Sequence, residues 1–349
     1  AYNSLLFNRR KALHGAIGKA IEETYSNRLE EFYEIIAHHF SKSDHHARAF
    51  NYLMLSAEKA VRNNSAWEAF SFYKKALAVL ERHPEDGEQK KNKLKVLHAM
   101  MIPIILLNFP KGSLGLLEAG AKVSKELDDL KSSIRFYSNM GFCHSVRGRH
   151  QEGIRYSGKA FEVATAINDL TAMAQAAPDL SLANLSTGRF KKVIEIASGM
   201  IHAIHKAEKE KDNFGGPAIV YPAQYSISGF SLAHLGRFDE GMSNCVYGLE
   251  AALESENLFT IGLCRSYIGM VLLLRGAWEE ASDYFAACLE GMEKVDFAEI
   301  KSLAKGGLGV TEAYMKDPVH GRVLVEEGLN SFQDSGRKGQ MSTLQCFVA

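Results

Sequence analysis

An all-α fold is what this sequence predicts, built as a series of helix–turn–helix repeats stacked one against the next. Three observations carry that expectation. A turn motif centred on glycine recurs at nearly constant spacing, apolar residues on either side of each turn recur at helical period, and strand-length alternating runs are missing from a composition with only 7 prolines among 349 residues. Periods of about 20 to 50 residues mark solenoids, in which a unit too small to bury its own apolar face is completed by its neighbours.

Residues 1–46 read as a helical adapter, already helical in period at AYNSLLFNRRKALHGAIGKAIEETY, and residues 47–349 as about seven repeats. The first repeat turns at Asn64, in RNNSAWEAFSFYKKALAVLERHP, and a weaker second one at Phe109, in NFPKGSLGLLEAGAKVSKELDD. The next four turn at Gly148, Gly188, Gly236 and Gly276, in steps of 40, 48 and 40 residues, and each glycine is followed two residues later by a ring: His150, Phe190, Phe238 and Trp278. One more step of 40 reaches Lys316, where Pro318 takes the place of the ring at the start of a helix. The chain opens without Met and closes in KGQMSTLQCFVA, which reads as the first turns of a further helix, so a piece of a larger protein is expected.

The repeat around Gly276 shows what each copy needs. Ala281, Phe285, Cys288 and Leu289 are spaced three and four apart, which puts them on one helical face. Small residues there admit a second helix closely, while Phe285 fills the gap between pairs. Ahead of the turn, GLCRSYIGMVLLLR has its own apolar period, with Gly269 at the point of close contact.

Gly269, Gly276, Trp278, Ala281, Phe285 and Cys288 stand where the tetratricopeptide (TPR) repeat has its small, turn, ring, small, ring and small residues, with Cys288 in place of the usual Ala. The chain therefore resembles that family, and the resemblance implies a right-handed α-α superhelix whose concave side holds a peptide or partner helix. The period is nearer 40 than the standard of about 34, so the helices are expected to be longer by about a turn. That is similar to the longer repeats of bacterial signalling ATPases and of maltose-regulator-type transcription activators. The run from Arg9 to Glu81, opening RRKALHGAIGKAIEETY, resembles the junction that follows the ATPase module in multidomain proteins known as adenylate or guanylate cyclases. No motif of the ATPase or of the cyclase itself lies in this sequence.

Composition bounds the partners. Lys plus Arg is 41 and Asp plus Glu is 41, so the formal charge is zero and gives no electrostatic footprint for nucleic acid or a membrane surface. The most apolar stretch, AMMIPIILL from Ala99 to Leu107, is too short to span a bilayer. With no signal peptide in view, the cytoplasm is the expected compartment.

Metal and catalytic signatures are weak. Cys143, Cys245, Cys264, Cys288 and Cys346 show no CxxC or other paired short spacing, and read as core thiols. AHHFSKSDHH gathers His38, His39, His45 and His46, but adjacent positions on a helix point about 100 degrees apart, so no metal site is expected; His202 and His205 fare no better. GGLGV, Gly306 to Val310, follows a helical run rather than a strand and lacks a third glycine, so Gly309 reads as a helix-packing residue. Neither a P-loop nor a GxSxG elbow is present. Carboxylate pairs such as Glu279 with Glu280, or Asp128 with Asp129, suit helix starts and solvation better than acid–base work. No catalytic residue, metal or cofactor is assigned.

The surface that a stack of pairs creates is the remaining candidate. Six residues before the turns stand Phe142, Leu182, Phe230, Met270 and Val310; ten before them stand Ser138, Pro178, Ser226, Ser266 and Gly306. An apolar ladder flanked by small residues would form a groove for an amphipathic helix or apolar peptide; longer helices could equally bury the ladder between neighbours. Thirteen residues before the turns, Arg135 and Gln175 give way to Ala223, Leu263 and Leu303, with Asn139 and Asn184 nearby, so a ligand's polar end is expected near Arg135. The surplus in the step of 48 falls in HKAEKEKDNFGGPAIVYP, His205 to Pro222, read as a long helix end and loop: a hinge, a subunit contact or surface decoration.

The leading expectation is a non-catalytic scaffold, the sensor or interaction region of a signalling ATPase or nucleotide cyclase. It would bind a partner protein, a peptide or another module of its parent chain. The alternative is a maltose-regulator-like sensor enclosing a small molecule. Self-association through truncated terminal repeats is a further expectation. Replacing both Phe230 and Met270 with Asp separates groove from core: lost binding with helicity intact means groove, and collapse in circular dichroism means core.

Overall fold

The computed structural model describes residues 7–82, 86–292 and 298–334, and no strand occurs among them. The chain divides into two compact units, one reaching Phe136 and the other beginning at Tyr137.

The first unit contains α1 (Phe7–Thr24), a 3-10 turn at Leu29–Phe32, α2 (Tyr33–Ser41), α3 (His46–Arg62), α4 (Ala66–Leu80), α5 (Gly87–Ala99), α6 (Met101–Leu106) and α7 (Ser113–Glu126), followed by the start of α8 (Leu130–Val146). Phe40, fully buried, explains why α1 carries Gly18: a Cβ there would stand 2.8 Å from the Phe40 ring. The break between α5 and α6 has a local cause. Pro103 would drive its ring against the carbonyl of Ala99 in a continuous helix, and α5 ends at that residue. The second repeat turns one residue earlier than its sequence suggests. Asn108 has φ 51°, its N–H bonds to Ile105 O at 2.9 Å, and Phe109 N–H bonds to Ile104 O at 2.8 Å.

The His-rich stretch gains a member that spacing could not supply. His14 of α1 meets His39 of α2, Nδ1 to Nδ1 at 2.9 Å, with His38 edge-on to both rings. One ring must donate and the other accept, so at least the accepting imidazole is neutral. Burial, then Lys42 and His38, lowers the pKa of His14; burial, then His14, His38 and Lys42, lowers that of His39. Among the described residues no group of three or more ligands could hold a metal ion.

The second unit continues α8 and adds α9 (His150–Ala166), α10 (Leu170–Leu185), α11 (Phe190–Lys206), α12 (Val220–His234), α13 (Phe238–Glu254), α14 (Leu258–Arg275), α15 (Trp278–Gly291), α16 (Ala298–Met315) and α17 (Pro318–Asp334). Its glycine turns share one hydrogen-bond pattern. Gly276 has φ 79°, its N–H bonds to Leu273 O at 3.1 Å, and Ala277 N–H bonds to Leu272 O at 3.0 Å. The same pair of bonds closes α8, α10 and α12 at Gly148, Gly188 and Gly236, all at positive φ where a Cβ would be strained.

Small residues set how closely the helices of a pair approach. A Cβ on Gly241 of α13 would lie 2.5 Å from Gly229 O of α12, and one on Gly309 of α16 would lie 2.7 Å from Gly321 O of α17. In the intervening pair Ala281 stands in the place of the second glycine, and the close contact is made four residues further on. Phe285 of α15 is fully buried against Gly269 of α14 and Gly307 of α16, so one side chain keys its own pair to the next. Here α14 is central: it is long and apolar enough to cross a membrane by length and composition, yet most of it is enclosed, with Ile268, Val271, Leu272 and Leu273 buried in this core. Cys245 and Cys288 fill the same core, and Cys264 a smaller cluster with Ala252 and Ile261; all three are free thiols whose pKa burial raises, that of Cys264 to about 12. Cys143 is buried and free as well, and Cys346 lies outside the described residues.

Three outcomes follow from this packing. Phe285→Ala should lower the unfolding free energy in urea by about 3–5 kcal/mol. Gly199→Ala, in α11 where an added Cβ meets nothing within 4 Å, should raise it by about 0.5–1 kcal/mol, whereas Gly241→Ala should lower it by about 1–3 kcal/mol. The depressed His14 and His39 bind fewer protons folded than unfolded, so their contribution is complete above their ordinary value of about 6.5 and is lost as pH falls below it. Urea midpoints at pH 7 and pH 5 should therefore drop further for the wild type than for a His14→Gln, His39→Gln double variant.

Candidate functional site

The apolar ladder divides into two parts. Phe230, Met270 and Val310 are 2%, 1% and 4% exposed and belong to one core cluster with Phe285. The Phe230 ring packs between His234 and Tyr267, with centroids at 4.6 and 5.6 Å. These three residues are core rather than groove, because α12, α14 and α16 pack directly on one another. The small residues beside them face their own second helices: Cys245 Sγ donates to Ser226 O at 3.4 Å, and Ser266 Oγ lies 3.4 Å from Cys288 Sγ. Gly306 is likewise buried, where a Cβ on Gly328 of α17 would touch its backbone.

Phe142 and Leu182 are only half-buried, and they meet at one opening. A shallow cleft of about 260 Å³, counting the part open to solvent, lies between α8 and α10 and is lined by Phe142, Ser145, Val146, His150, Asp179, Leu182 and Ser186. Each lining residue owes its place to the turn that precedes or follows it. Phe142 and Val146 lie six and two residues before Gly148, Leu182 and Ser186 hold the same places before Gly188, and His150 is the first residue of α9. The walls are therefore apolar and aromatic, and the polar groups sit among them. Ser145 Oγ and His150 Nδ1 are enclosed and have no hydrogen-bond partner. Burial lowers the pKa of His150, and burial followed by Arg149 lowers that of His144, so both are neutral at pH 7. The cleft thus presents apolar and aromatic surface beside the His150 ring and the Asp179 carboxylate.

Ser138 is half-buried on α8, and Pro178 and Arg135 are exposed, Arg135 within the first unit. Gln175 is engaged: its Nε2 donates to Phe214 O at 2.8 Å. Phe214 belongs to the insertion and is itself buried with Ala174, Ala177 and Tyr221. The insertion continues to α14, where Asn257 Nδ2 donates to Pro217 O at 3.2 Å and Ile219 N–H donates to Thr260 Oγ1 at 2.8 Å. The extra residues between the fourth and fifth repeats are thus a brace folded onto helices on both sides, neither a loose hinge nor decoration. Ser145, His150, Asp179 and Ser186 are cleft residues that the positions six, ten and thirteen before the turns do not sample. Reading the position two before each turn would have found the opening, since it runs Val146, Ser186, His234, Leu274, Tyr314 and is smallest at Ser186.

Among solved structures, the chain is similar to the apo form of RapI, with a TM-score of 0.64 and 11% identity over 82% of this chain and 98% of that one. It is similar to aspartyl phosphate phosphatase F from Bacillus subtilis, with a TM-score of 0.61 and 13% identity over 90% and 74%. A third likeness is to the Rap conjugation gene regulator of the plasmid pLS20 in complex with the Phr* peptide, with a TM-score of 0.52 and 14% identity over 95% of both chains. No protein-family model matches the chain, and no curated protein matches it in sequence. Likeness at these identities shows the fold: an all-α array of TPR-like helical repeats.

Proposed function

We propose that this chain is a non-catalytic regulatory scaffold that captures a peptide segment of a partner, with the cleft between Phe142 and Leu182 as its anchor point. The observation that carries the reading is that these two ladder residues alone are half-exposed, and that they meet at one opening beside the His150 ring and the Asp179 carboxylate. Apolar surface left open next to a few polar groups suits an incoming peptide side chain. The pLS20 regulator, similar in fold, was solved with a peptide, which supports a peptide as occupant here. The opening is shallow and much of its space is shared with solvent, which suits one side chain of an extended segment laid on the surface better than an enclosed small molecule. The resemblance of Arg9 to Glu81 to the junction after a signalling ATPase module supports a larger cytoplasmic parent, whose attached module the captured peptide would bias by binding one of its states more tightly.

Panning a random peptide display library against the intact chain tests this reading. The wild type should enrich a shared motif, and Leu182→Asp and Asp179→Ala variants with unchanged circular dichroism should fail to retain it. No enriched motif, or one retained equally by both variants, would contradict the proposal, and a co-purifying small molecule in native mass spectrometry would replace the peptide with an enclosed effector.

A further inference from the structure

The ring two residues after each turn meets the residue two before the next turn, and that contact varies along the second unit. Phe190 stacks on His234 with ring centroids 4.3 Å apart and planes 5° from parallel. Trp278 stacks on Tyr314 at 4.4 Å and 1°. Phe238 and Leu274 hold the same two positions at the junction between them, and both pack on the core. At the remaining junction the pair is His150 and Ser186. A hydroxymethyl group stands where the neighbouring junctions have an imidazole, an isobutyl group or a phenol, and among the described residues no ring stacks on His150. The cleft is the volume left by that missing member, and both residues line it.

Its walls specify what would complete it. Phe142 and Leu182 flank the gap with apolar surface, while the Ser145 hydroxyl is packed against Gly153 of α9, where an added Cβ would stand 2.2 Å from it. Asp179 adds a carboxylate among the lining residues. An aliphatic side chain would cover this surface but could not stack on the His150 ring. An aromatic ring that carries a donor would both stack and bond the carboxylate, since Trp N–H and Tyr O–H groups seek a partner when enclosed. Aromatic side chains in such pockets are also the usual anchors of protein interfaces.

We infer that the cleft takes a tryptophan or tyrosine side chain of the partner peptide, stacked on His150 in the place Ser186 leaves open, with its N–H or O–H donated to the Asp179 carboxylate. This rests on the reading of the chain as a peptide-binding scaffold and names the residue class that the cleft selects. The helix array thus completes with a borrowed ring the stack that it builds from its own residues at the other junctions.

The test uses the intact chain with N-acetyl-tryptophanamide, N-acetyl-tyrosinamide and N-acetyl-leucinamide as probes, titrated by NMR. The aromatic probes should bind roughly three- to tenfold more tightly than the leucine probe. Ser186→Phe supplies the missing ring from within, so it should raise the thermal midpoint and abolish binding of the aromatic probes, while Ser186→Ala, which fills nothing, should retain it. Equal affinities for all three probes, or unchanged tryptophan-probe binding to a folded Ser186→Phe chain, would overturn the inference. A display-selected peptide that is lost on Leu182→Asp while the three probes bind alike would overturn the aromatic anchor alone and leave the peptide cleft standing.

Discussion

The structure depends on close approach between helices that carry almost nothing at the point of contact. Gly229 faces Gly241 and Gly309 faces Gly321, with backbone oxygens so near that no side chain fits between. In the pair between them, where Ala281 takes the second glycine's place, the Phe285 ring enters the space that Gly269 and Gly307 leave on two different helices. Interlocking of this kind gives each pair a unique register against the next, because protein interiors are packed as tightly as organic crystals and a shift of one residue would set Phe285 against a Cβ. The turn glycines serve the same end by delivering α9, α11, α13 and α15 antiparallel to their predecessors through identical paired hydrogen bonds.

That constraint explains how much could be read in the sequence. Gly148, Gly188, Gly236 and Gly276 were legible because glycine enters the left-handed turn without strain and recurs there in four successive repeats, and Phe285 because a ring among small residues has few other uses. The second turn was displaced by one residue, since Asn108 tolerates positive φ and leaves no glycine to mark the position. The ladder was harder for a different reason. Apolar character at Phe142, Leu182, Phe230, Met270 and Val310 says that each avoids water, but a neighbouring helix and a bound peptide supply the same shelter. Only the packing of α12, α14 and α16 separates the last three from the first two. The insertion was legible as extra length, while its brace to Gln175 and Thr260 required the geometry.

The cleft follows from the same rule that builds the core. Repeats align equivalent positions on successive helices, so a single small residue at a junction otherwise occupied by rings or a large aliphatic group opens one defined volume without disturbing the rest. Ser186 is that residue, and His150 is the ring it exposes. The His150 ring meets the apolar faces of Phe142 and Leu182 at that opening, so a ligand that stacks on the ring gains more than one that merely covers apolar surface, aromatic pairs adding about 0.5–1.5 kcal/mol beyond the area they bury. Stability and recognition are thereby written in the same positions of the repeat.

Hydroxyl-radical footprinting of the intact chain, with and without a saturating display-selected peptide, tests the central claim most directly. The account predicts that protection on binding is concentrated at Phe142, His150 and Leu182, while Phe230, Met270 and Val310 are unreactive in both states. Strong reactivity of Phe230 and Met270 in the free chain, or protection confined to exposed residues elsewhere such as Tyr314, Val319 and Val323, would contradict it.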